Sequence, residues 1–176
     1  ISGNFGAFIP QSDYCCANHL VEMIPPINQW GRVFLTTPLA LKKNGDIFRI
    51  LASQDETTIY IDEDSVAQLK KGMYFETNLP SNEGHLIKAT KPVLIAQFST
   101  SYQFDTLSKT DPFMTLVQPY EQYGSNYAII VPEKKIYNNN FLNIAIKTPG
   151  IATLRLNNNI IPKQFFSTIN EEFSFG

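Results

Sequence analysis

The chain has 176 residues, a formal net charge of −2, 43% hydrophobic side chains and 17% charged ones. That is the balance of a packed globular protein rather than a disordered one. So small a charge gives no broad positive field to neutralise phosphates, which excludes nucleic acid as a partner, and no run nears the roughly 18 apolar residues of a membrane-spanning helix.

The amino terminus, Ile1-Ser2-Gly3-Asn4, has neither the basic flank nor the initiator Met of a signal peptide. It reads as the inside of a strand in a piece of a longer polypeptide with flanking domains. Cys15 and Cys16, the two cysteines, are adjacent and cannot close an ordinary loop with each other. Three states stay open: a strained vicinal Cys15–Cys16 disulfide, two free thiols, or pairing with cysteines elsewhere. Structural zinc needs four ligands, and with His19 and His85 as the two histidines no metal site is expected.

Short apolar or alternating runs then recur at 33–35, 47–52, 57–61, 73–77, 93–98, 127–131, 141–146 and 152–156. Between them, Lys43-Asn44-Gly45-Asp46, Thr148-Pro149-Gly150 and Asn157-Asn158-Asn159 supply the residues that tolerate positive φ in tight turns. Residues 62–71 are the best candidate for a helix, and a turn into an edge strand accounts for them equally well.

The same order of residues occurs twice. Pro26, Gln29, Trp30, Gly31 and Phe34 correspond to Pro119, Gln122, Tyr123, Gly124 and Tyr127, an offset of 93 (123 − 30). Further on, Phe48 and Ile50 meet Leu142 and Ile144, and Thr58, Ile59 and Ile61 meet Thr153, Leu154 and Leu156; the register drifts by single steps, as loop insertions would leave it. The expected fold is therefore all-β, with two tandem, diverged β-sandwich-like modules from an internal duplication. The first covers 1–88 and lacks most of its opening strand; the second covers 89–176 and stops short of its closing one.

The string His19-Leu20-Val21-Glu22-Met23-Ile24-Pro25-Pro26, then Trp30-Gly31, Phe48-Arg49-Ile50 and Thr57-Thr58-Ile59, resembles the N-terminal domain of IgGFc-binding proteins. Lys91-Pro92-Val93, Gln97-Phe98 and Asp111-Pro112-Phe113-Met114 continue the resemblance over nearly the whole chain. It implies an extracellular module, mucus-associated in animals and also found in bacterial surface or secreted proteins, with an adhesive role and no catalytic residues. The family pattern keeps a cysteine directly before its His-Leu-Val-Glu string, whereas here Ala17-Asn18 intervene.

His19 and Glu22 would share one face of a helix and suggest metal or acid/base chemistry. Val21, Met23, Ile24 and the following prolines look extended instead, so the two are read as a structural pair. Asp62-Glu63-Asp64 lacks the spacing and Gly of a calcium loop and is read as a solvated turn, leaving Ca²⁺ as the one cofactor considered. Trp30 and Tyr123 are expected to anchor the core. Loops on a rigid β scaffold concentrate binding residues, and two of them fall at the same place in their copies: Asp13 and Tyr14 in one, Tyr102, Phe104 and Asp105 in the other. No phosphate loop, Gly-x-Ser-x-Gly elbow or His-Glu-x-x-His is present. The expected function is non-catalytic cell adhesion or recognition of an extracellular protein or glycan. The rivals are a structural spacer or assembly subunit, and a carbohydrate-active enzyme using acids such as Glu22 and Asp111.

Overall fold

The computed structural model describes residues 5–7, 9, 17–105, 111–131 and 139–176. The first half holds β1 (Phe5–Ala7), β2 (Asn18–Leu20), β3 (Gly31–Leu35), β4 (Asp46–Ala52), β5 (Thr57–Ile61), β6 (Asp64–Leu69), β7 (Tyr74–Leu79) and β8 (Leu86–Phe98). A single helical turn, α1 (Tyr102–Asp105), and β9 (Met114–Val117) follow, and then β10 (Ala145–Lys147), β11 (Arg155–Leu156), β12 (Asn159–Ile160), β13 (Ser167–Thr168) and β14 (Phe173–Phe175). The molecule is all-β, as the alternating runs imply.

β8 organises the fold. Its first part pairs antiparallel with β3 and with β5, and its last part pairs with β4 and β9, giving the order β6-β5-β8-β4-β7 in one curled sheet. The change of partner falls between Ala89, the last residue facing β5, and Val93, the first facing β4. Pro92 sits there, where a missing N–H costs no ladder bond. The bend is tied down because the Pro92 carbonyl accepts from Ser53 N–H (3.3 Å) and the Lys91 ammonium donates to the Asp55 carbonyl (2.6 Å).

Side chains alternate across a strand, so β8 serves two cores at once. Ile87, Ala89, Val93 and Ile95 face a buried cluster with Phe34, Phe48, Ile50 and Ile59. On the opposite face Phe98 packs with Ile9, Leu20 and Ile47. A third cluster, Leu35, Leu86 and Phe173 with Tyr120 and Tyr123 against them, joins the halves.

Residues 62–71 resolve the two readings open at the sequence level in favour of the turn and edge strand: Asp62 and Glu63 take φ of 49° and 77° as the two-residue turn between β5 and β6. Trp30 is half-buried and donates its indole N–H to the Pro25 carbonyl at 3.0 Å. Tyr123 is also half-buried, edge-on to Tyr120. Each closes a 3-10 turn of the same form, Ile27–Gln29 after Pro26 and Tyr120–Gln122 after Pro119.

The second half differs from the expected run of strands. Residues 127–131 form no strand, and of 141–146 and 152–156 only the pieces in β10 and β11 do. Tyr127, Ile129, Ile130, Val131, Phe141 and Leu142 are exposed. Alternation supplies a face, but a strand also needs a neighbour to take its N–H and C=O groups. That neighbour is β8 in the first half, and no described residue plays its part in the second.

Candidate functional site

Where β8 ends, its chain runs straight into a polar layer. Ser99, Thr100 and Ser101 are almost completely buried, and so are Thr36, Asp46 and Gln97 beside them. Asp46, first residue of β4, accepts from Leu39 N–H (2.8 Å) and from the Gln97 amide (2.9 Å), while the same amide reaches the Thr37 carbonyl (2.9 Å). A buried carboxylate is tolerable only with such donors. These bonds fix the loop 36–45 to the sheet. Ser99 Oγ is buried and has no hydrogen-bond partner among the described residues.

Three chain segments meet above this layer. Ser101 N–H donates to the Ile9 carbonyl (2.9 Å), joining the segment between β1 and β2 to the one between β8 and β9. Lys42 Nζ donates to the Thr100 carbonyl (2.7 Å), and the Asn44 amide donates to the Phe104 carbonyl in α1. Asn78 and Ser81 hold the base of the third segment, the first donating to the Asn44 carbonyl (2.9 Å) and the second accepting from Gly45 N–H (2.7 Å). Gly45 has φ +90°, as the Asn-Gly turn requires.

The rim is mixed. Tyr102 and Phe104 are half-buried; Lys43, Asn44 and Gln103 are exposed. Leu41 stands out, because it is 64% exposed and held at φ 65°. A left-handed conformation costs a leucine roughly 1–2 kcal/mol, and strain of this kind concentrates at ligand-contacting loops. Among the described residues no group of three or more His, Cys, Asp or Glu side chains converges, and the described groups of this layer offer hydrogen bonds and apolar contact.

The family model of the IgGFc binding protein matches residues 1–176, the entire chain. The chain belongs to the IgGFc-binding family. No curated protein and no solved structure gives a significant match. The IgGFc-binding family is one of non-enzymatic, typically extracellular binding domains. No helix among the described residues is long and apolar enough to cross a membrane.

Within this IgGFc-binding domain the sequence candidates fare unequally. Asp13, Tyr14, Cys15 and Cys16 lie outside the described residues. Tyr102 and Phe104 belong to the loop cluster, and Asp105 closes α1. The sequence did not single out the 36–45 loop as a participant; its only signal was the Asn44-Gly45 turn.

His19 and Glu22 do not share a helix face: His19 is exposed on β2, and Glu22 accepts from its own neighbour, Met23 N–H, at 2.8 Å. The Asp62 carboxylate is engaged instead with buried His85, whose Nδ1 lies 2.5 Å from Asp62 Oδ2, and with Leu86 N–H (2.9 Å). Glu63 pairs with Lys88 at 2.7 Å. This His/Asp pair went unseen in the sequence because 23 residues separate its members and no motif links them. It fastens the β5–β6 turn to the start of β8.

Proposed function

We propose that this chain is a non-catalytic recognition module of a cell-surface or secreted protein, attaching to an extracellular protein or glycan through the loop cluster at the end of β8. The observation that carries the reading is convergence. The chain entering the Tyr102 and Phe104 segment is hydrogen-bonded through Ser101 to the Ile9 carbonyl, and the 36–45 loop bonds to the same stretch through Lys42 and Asn44, above a buried polar layer. Preorganised loops lose little entropy on binding, and an exposed apolar side chain among polar neighbours is a favourable contact centre. Family membership supports the binding role; the loops, rather than the strands, are this reading's addition.

The test is a screen of the chain against glycan arrays and immobilised matrix proteins and immunoglobulins, repeated on each hit with Leu41→Gly and Tyr102→Ala. Glycine removes the Leu41 contact while accepting the same φ, so folding is preserved. Binding should weaken about tenfold or more, the scale of a contact hot spot. Attachment that ignores both loop substitutions, yet disappears when charges are placed on the outer edge of β7, would overturn the loop reading in favour of a structural or assembly role.

A further inference from the structure

Apolar side chains are exposed in the second half at positions whose counterparts are buried in the first. Leu142 is 42% exposed where Phe48 is 2%, and Leu154 is half-buried where Ile59 is wholly buried. Leu156 and Ile160, flanking the β11–β12 turn, are 50% and 55% exposed. Phe48 and Ile59 owe their burial to β8, which lies between β4 and β5.

Local geometry recurs along with the residues. The Asn157-Asn158 turn between β11 and β12 has φ of 49° and 68°, matching 49° and 77° at Asp62-Glu63, and Leu156 faces Asn159 as Ile61 faces Asp64. β10 pairs antiparallel with β14 as β4 does with β7. The two Pro-led 3-10 turns touch, with the Gln122 side-chain amide donating to the carbonyl of Gln29, its own counterpart. One member of the plan has no equivalent among the described residues. β10 ends its sheet, in the order β10-β14-β13, and β11 pairs with β12 alone. A cleft of about 580 Å³, lined by Leu142 and Ile144 just before β10, by Leu156 of β11 and Ile160 of β12, and by Phe165 and Phe166, lies beside them.

We propose that residues 99–176 repeat the strand plan of the first half and take up, along the edges of β10 and β11 left open among the described residues, an extended strand of a further copy of this repeat with the alternation of Leu86–Phe98. β8 shows how such a strand works: it completes the first half through β3, β4 and β5 and also pairs with β9, beyond it. Main-chain bonds to two open edges supply affinity, and aliphatic side chains on one face, as at Ile87, Ala89, Val93 and Ile95, supply the match to the cleft. Charge or loop chemistry plays no part, so this surface is separate from the loop cluster.

The probe is a synthetic peptide of residues 86–98 with a trilysine tail, titrated into the whole chain and followed by fluorescence anisotropy and amide hydrogen exchange. Saturable one-to-one binding is expected, with exchange slowed about tenfold or more at residues 142–147 and 154–156. A peptide carrying Ile87→Asp, Val93→Asp and Ile95→Asp should not bind. Leu142→Asp and Leu156→Asp change exposed residues, so the variant chain stays folded, checked by circular dichroism, and should lose the peptide. Three results would overturn the proposal: no binding by the unaltered peptide, binding that survives either set of aspartates, or protection of the same amides in the free chain at high concentration together with dimerisation by sedimentation, which would make the occupant a second copy's edge instead.

Discussion

Gly45→Ala tests the packing beneath the loop cluster, and its cost can be worked from the structure. At φ +90° an alanine is strained, costing about 1–2 kcal/mol. Its Cβ would also lie 2.1 Å from Asn78 Oδ1 and 2.4 Å from the Leu79 carbonyl. Asn78 can swing away only by giving up its bond to the Asn44 carbonyl, about 1 kcal/mol. Leu79 cannot move alone, because its backbone faces Asp46 in the β4–β7 ladder; shifting it costs about 1–2 kcal/mol more. The expected loss is about 3–5 kcal/mol, a fall in Tm of roughly 6–20 °C for a chain of this size. Gly72→Ala is the control: φ is +79° there, but nothing lies within 4 Å of the added methyl, leaving only the conformational cost of about 1–2 kcal/mol. Urea unfolding followed by the fluorescence of the single tryptophan, Trp30, measures both. Equal losses for the two variants would refute the placement of Gly45 against β7, and with it the anchoring of the 36–45 loop.

Phe48→Ala should cost about 3–5 kcal/mol because the ring is buried against β8, whereas Leu142→Ala at the equivalent position should cost less than about 1 kcal/mol; paired urea melts decide it. Burial, then the neighbouring Tyr127 and Tyr120, push the Tyr123 phenol up to about 12 from its ordinary 10.0. Between those values the unfolded chain has lost a proton that the folded chain retains, so stability should fall as pH rises through the window, and Tyr123→Phe should remove that part of the slope in melts at pH 8 and 11.

How much was legible follows from what each signal encodes. Period-two alternation located β4, β5 and the last part of β8, because those residues must present one face to a core whichever strand lies beside them. The Asn44-Gly45 and Asn157-Asn158 turns were legible because few residues tolerate positive φ. Alternation does not name a neighbour, which is why the runs at 127–131 and 141–144 read as strands and lie in irregular backbone. The same gap hid β8's double duty. Its run from Val93 was visible, but the pairing of its earlier residues with β3 and β5 depends on contacts far apart in the chain. In the site, Tyr102 and Phe104 were found through their place between strands, while Leu41 was missed because its strain is a property of φ and not of residue type.

The loop cluster and the open cleft have a common physical origin in β8. A strand buried on both faces is the most rigid element of its sheet, so the residues directly after it, Ser99 to Ser101, inherit a fixed position and can be polar and buried without melting the loop. Where that strand's place between two partners is taken, as between β4 and β5, aliphatic side chains disappear from the surface. Where β10 and β11 have none among the described residues, equivalent side chains stay in water at a cost of about 25 cal/mol per Å² of exposed apolar area, a standing bias toward any extended chain of matching alternation. Recognition by the loops and completion of the cleft therefore respond to different perturbations: Leu41→Gly acts on the first alone, and Leu142→Asp on the second alone.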